Sequence, residues 1–251
     1  MFEYFLCLDL LLLSRLHFLR HDTALGWKAH SVLAACQSLL LVLSFRLNLT
    51  LLLIVLLLFA VAGLTTYIER QRPAEARVLS LLVLLFGIDM LVGLTAGLQV
   101  WPMWTQAGEL IADSNLLTEA RAITGLAAVQ VAFGFLLLLN EVNAAIRIVF
   151  QLVGITPQNS PAPERAEDPG HIDQQEWNAG RVIGFLERWL VYIVILASND
   201  LQAIGLILAA KSLARMKQMD DKAFAEYVLI GTLLSVLSAV LVGRWVLAML
   251  A

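Results

Sequence analysis

Leu47–Ile68 reads L-N-L-T-L-L-L-I-V-L-L-L-F-A-V-A-G-L-T-T-Y-I, 22 residues without a charge. As a helix rising 1.5 Å per residue it is about 33 Å long, against a bilayer hydrocarbon core of about 30 Å. Its centre, Leu51–Val61, is apolar on every face, so no side of it is suited to water. This stretch sets the class of the protein as a membrane protein, and the rest of the chain repeats its character.

Working outward, further apolar runs are predicted as helices at Phe2–Leu19, Trp27–Phe45, Arg77–Val100, Thr118–Gly154, Asn178–Ser198, Leu201–Lys217 and Asp221–Leu250. The expected fold class is therefore all-α: a polytopic transmembrane bundle of about eight hydrophobic helices. The first run is short and carries Asp9 and Arg15, so it either spans or lies in the interface. Trp101, Pro102 and Trp104 read as an interfacial aromatic anchor. Between 156 and 177, four prolines mixed with charge and glycine mark a polar linker. It divides the chain into a five-helix part, 1–155, and a three-helix part, 178–251.

Composition agrees. The chain is 60% hydrophobic, above the roughly 45–50% of soluble domains, and its mean hydropathy is +0.80. The net charge of −3 excludes a basic nucleic-acid binder. Cys7 and Cys36 have neither metal-type nor redox-type spacing and read as packing residues. No basic n-region precedes the first apolar run, so a cleavable leader is not expected. If all eight helices cross, fourteen Lys and Arg residues fall on one side and only Arg46, Arg121 and Arg244 on the other. The rich side, which holds the Pro-rich linker, is then cytoplasmic.

Ionisable groups inside such segments need a partner, water or a route to the interface. Arg181, Glu187, Arg188, Lys211, Arg215 and Glu226 are expected at similar depth in the last three helices. They read either as an ion-pair network that fixes those helices or as an anion or headgroup site. Asp89 is the other candidate, a proton or cation site, with Gly93 and Gly97 at spacing four on the same expected face. In the last helix Gly231, Ser235, Ala239 and Gly243 recur every fourth position, a stripe that lets a neighbour approach closely. His17, His21, Asp22 and His30 surround the first polar loop, but no H-E-x-x-H or cysteine partner accompanies them, so neither metal nor cofactor is expected. No phosphate loop, hydrolase elbow or dinucleotide fingerprint is present in the sequence.

Three blocks in the C-terminal third, G-R-V-I-G-F-L-E-R (180–188), A-I-G-L-I-L-A-A-K-S-L-A-R (203–215) and E-Y-V-L-I-G-T-L-L-S (226–235), resemble the closing segments of a bacterial integral membrane family defined only as a domain of unknown function. The likeness covers about Asn140 to Val242 without the linker. It implies a multi-helix protein of the bacterial inner membrane and carries over Arg181, Gly184, Glu187, Arg188, Lys211, Ser212, Arg215, Glu226, Tyr227, Gly231 and Thr232, with no activity attached.

Three functions compete. The first is a structural, assembly or interaction subunit whose partners are membrane lipids and another membrane protein or a second copy of itself. The second is a small transporter or ion-conducting protein using Asp89 and the C-terminal charges. The third is a lipid-acting enzyme with Glu187 or Glu226 as acid and base. It is the weakest, because no nucleophile or metal constellation stands beside those carboxylates.

Overall fold

The computed structural model describes residues 1–17, 26–103, 125–154, 174–198, 200–214, 216 and 222–251. Among these the chain is helical throughout, with a lone antiparallel bridge between Phe45 and Val100. The helices are α1 (Phe2–Arg15), α2 (Trp27–Ser44), α3 (Leu49–Glu69), α4 (Pro73–Leu94), α5 (Gly125–Val153), α6 (Gln174–Ala197), α7 (Leu201–Ala214) and α8 (Lys222–Leu250). Four of them, α3, α4, α5 and α8, are long and apolar enough to cross a membrane. At 14 residues each, α1 and α7 reach only about 21 Å. The Pro-rich linker, Trp104 and the loop before α5 lie outside the described residues.

The chain forms two compact units, Met1–Ala145 and Ile146–Ala251, and the division falls within α5. In the first unit α1 to α4 pack as antiparallel neighbours, and α4 also touches α1. Asn48 shows how a turn is fixed. Its side-chain oxygen accepts from the Leu51 N–H and caps α3, while its amide nitrogen donates to the Gly97 carbonyl. Thr50 and Thr95 hydroxyls meet at 2.7 Å one step further in. The chain leaving α4 then pairs with the end of α2: Arg46 N–H donates to the Gln99 carbonyl, and the Trp101 indole N–H to the Val42 carbonyl.

The first helix packs into the unit over one broad side. Phe5, Cys7, Leu8, Asp9, Leu11, Leu12 and Arg15 are all buried there, while Phe2 and Leu13 are exposed on the remaining face. Within the unit, α5 runs beside it in the same direction, with Phe5 edge-on to Phe133 near one end and Arg15 on Glu141 at the other.

In the second unit α6 and α8 run parallel, with α7 returning antiparallel beside α6. The α8 face towards α6 carries the small residues: Ser235 and Ala239 are buried, as is Gly243. A methyl group at Gly243 would stand 2.8 Å from Ile195 Cγ2, and one at Gly231 would stand 3.1 Å from the Phe150 ring. Neighbouring side chains thus fill the space that a Cβ would need at these two glycines.

Candidate functional site

The concentration of buried charge lies in the first unit, at the end where α1 and α3 finish and α2 and α4 begin. Antiparallel packing brings together residues that are isolated in sequence. Arg15 donates Nε and Nη2 to the two carboxylate oxygens of Glu141, at 2.6 and 3.2 Å. Its Nη1 donates to the Ser80 hydroxyl and Nη2 also to the Arg77 carbonyl, at 3.1 and 3.0 Å. One guanidinium thus ties α1 to α4 and α5.

One turn nearer the helix ends, Glu69 takes a second set. His30 Nε2 lies 2.5 Å from one carboxylate oxygen, and Arg77 Nη2 donates to the other at 3.4 Å. All five ionisable residues, Arg15, His30, Glu69, Arg77 and Glu141, are more than nine-tenths buried. Two carboxylates face two guanidiniums, so the set is neutral when the imidazole is neutral. Between the two clusters lies a cleft of about 20 Å³, room for about one water molecule. Arg15, His30, Gln37, Thr65 and Ser80 supply its polar wall. Gln37 donates its amide to the Ser14 hydroxyl at 2.8 Å, which extends the network along α1. The arrangement holds charge in a low-dielectric site with every carboxylate matched, which is the condition for tolerating it there.

The sequence reading missed this site. It noted Arg15 and His30 for other reasons and passed over Glu69, Arg77, Ser80 and Glu141. The available signal was the two acids, Glu69 and Glu141, lying at the arginine-rich ends of apolar helices.

The expected sites fare differently. Glu187 pairs with Lys211, which joins α6 to α7. Arg188 points the other way, donates to the Ser235 hydroxyl at 3.3 Å and covers the Phe185 ring. Glu226 does not join them. It is exposed and 3.8 Å from Lys222 on its own helix, because nine residues at about 100° each set it opposite Ser235. The Arg181 side chain and Arg215 lie outside the described residues.

Asp89 is exposed on α4 rather than turned into the bundle. Gly93 keeps its place one turn beyond it, where a methyl would meet nothing within 4 Å, but α4 ends at Leu94, so Gly97 sits beyond the helix with φ +75°, a turn conformation that suits glycine. Of the histidine group, His30 is bound to Glu69, His17 is exposed, and His21 and Asp22 lie outside the described residues. Among the described residues no cluster of three or more His, Cys, Asp or Glu side chains is placed to hold a metal ion.

Compared with known proteins, the chain matches no family model, no curated protein and no solved structure.

Proposed function

We propose that the chain is a multi-pass protein of the bacterial inner membrane that serves as an assembly or interaction subunit. The observation that carries this is the disposition of charge. Buried or largely buried charges hold helices to one another, Arg15 on Glu141, Arg77 and His30 on Glu69, Lys211 on Glu187; Asp9, buried with one carboxylate oxygen unpaired, is the exception. The long apolar faces of α3, α4 and α8 point outward, free to meet lipid or another membrane protein. In this reading all eight helices cross, and the arginine-rich end of the first unit faces the cytoplasm. The antiparallel packing of α1 and α2 alongside α3 and α4 supports that count. The experiment is extraction in a mild detergent followed by separation by size and identification of what travels with the protein. A stoichiometric protein partner or a defined homo-oligomer is the expected result; a monomer carrying only lipid refutes the reading.

One observation favours a second reading, proton or ion handling. His30 and Glu69 form a buried titratable pair, and His30 lines the cleft shared with Arg15, Gln37 and Ser80. Chains of such groups carry protons in membrane proteins. Reconstitution into vesicles with an internal pH dye tests it: a flux that Glu69→Gln abolishes would favour this reading over the first.

A further inference from the structure

Asp9 lies in the middle of the 14-residue helix α1, about 9–11 Å from either end. It is 6% exposed, and its Oδ1 has no hydrogen-bond partner. Among the described residues no ion pair reaches it either. The charges of the unit lie elsewhere. On α1 itself Arg15 is about 9 Å further along the axis and about 120° around the helix, and it is held by Glu141. His30 of α2 and Arg77 of α4 stand at that same end with Glu69. Towards the other end, Tyr4 has Asp89 of α4 as an electrostatic neighbour and lies about 140° around α1 from Asp9. Glu3 is beside the Met1 amino group, and the Cys7 thiol is on the opposite side of α1. Between the two ends, the helices packed against α1 carry no titratable side chain in residues 38–44 of α2, 81–88 of α4 or 134–140 of α5.

A carboxylate in that position lacks a donor for one of its oxygens and a cation at its own level. An ionised group in an apolar interior under those conditions is neutralised instead. We infer that Asp9 is a proton-binding site: in the folded protein its carboxyl holds a proton, and the proton, rather than a protein cation, is its ligand. Binding removes the charge and turns one carboxyl oxygen into a donor. Glu141 is the contrast within the same unit. It is buried to a similar degree, at 4% exposed, yet Arg15 gives it two N–H donors, so its charge is matched. The two acids are alike in burial and opposite in how their charge is met. The inference goes beyond both readings above, since neither uses Asp9.

The test treats the full chain in native membranes at neutral pH with dicyclohexylcarbodiimide, an apolar reagent that adds to a protonated carboxyl. The acid proton passes to one reagent nitrogen while the carboxyl oxygen bonds to the central carbon. The acyl group then moves to nitrogen and leaves a stable N-acylurea. Peptide mass spectrometry is expected to find the label on Asp9 and not on Glu141, and Asp9→Asn should remove it. A second measurement does not need the reagent to enter. Asparagine has the shape of the neutral acid but takes up no proton. The unfolded chain ionises this aspartate above about pH 4. The folded chain keeps the proton, so the unsubstituted protein loses stability through this group as pH rises, and the variant does not. Melting in detergent should therefore show Asp9→Asn gaining on the unsubstituted protein from about pH 5 to about pH 8. Equal labelling of Asp9 and Glu141, or a melting difference that does not change with pH, overturns the inference.

Discussion

Arg15 holds Glu141 by two N–H donors on two oxygens, although 126 positions separate them in the chain. The pair is buried on both sides, so removing one partner leaves the other charge stranded. Glu141→Gln is therefore expected to destabilise the protein by about 3–5 kcal/mol. Glu75→Gln, which breaks an exposed pair with Arg72, should cost about 0–1 kcal/mol. Replacing Arg15 and Glu141 together by Met and Leu should recover most of the loss, because no unpaired charge remains. Thermal unfolding in detergent checks all three, and equal melting of the two single variants would contradict the network.

Glu69 serves two partners, His30 and Arg77, from a position that is 1% exposed. Its glutamine variant keeps the shape and removes the charge from both contacts. The expected outcome is a loss at least as large as that of Glu141→Gln, read in the same melting experiment.

Close approach in the second unit predicts a contrast between two glycines. Gly243→Ala pushes a methyl into Ile195 and should lower the melting temperature, while Gly205→Ala on α7 meets nothing within 4 Å. The latter should be neutral or stabilising by up to about 1 kcal/mol, because alanine is the better helix former. Ala239→Leu, at a fully buried site, should cost about 1–3 kcal/mol through overpacking.

The two glutamates of the second unit should also part company. Glu187→Gln removes the partner of Lys211, both of them largely buried, whereas Glu226 is mostly exposed beside Lys222. The first change is expected to destabilise and the second to leave stability unchanged, measured by resistance to proteolysis in detergent.

Membrane orientation is open to direct labelling. A cysteine placed at Ser160 should react from the cytoplasmic side and one at Ser114 from the opposite side. Reaction of Ser114→Cys from the cytoplasm would invert the arrangement proposed for the N-terminal half.

What the sequence makes legible follows from range. Leu47–Ile68 declares a helix by itself, because length and lack of charge are local properties, and α3 occupies Leu49–Glu69. The spacing of Gly231, Ser235, Ala239 and Gly243 is local too, and those positions do face neighbouring side chains. The Arg15–Glu141 and His30–Glu69–Arg77 clusters are not local. Each residue looks like a lone charge near a helix end until antiparallel packing sets the ends side by side. Glu226 was misjudged for a different reason. Depth along α8 matched the cluster, but its direction around the helix did not, and the nine-residue offset from Ser235 already contained that information. Gly97 was expected on the face of Asp89 because α4 was expected to continue to Val100; the turn held by Asn48 and Gly97 ends it sooner.

The pairing of α1 with α5 through Arg15 and Glu141 has a consequence for how the protein is made. Asp9 and Arg15 leave the ribosome long before Glu141 is synthesised, so this helix cannot take its final seat when it first meets the insertion machinery. It must wait at the membrane surface, or within the translocon, until α5 arrives with the acid it needs. A chain halted before Gly125 would leave that arginine without its carboxylate and present it as a signal for quality-control proteolysis.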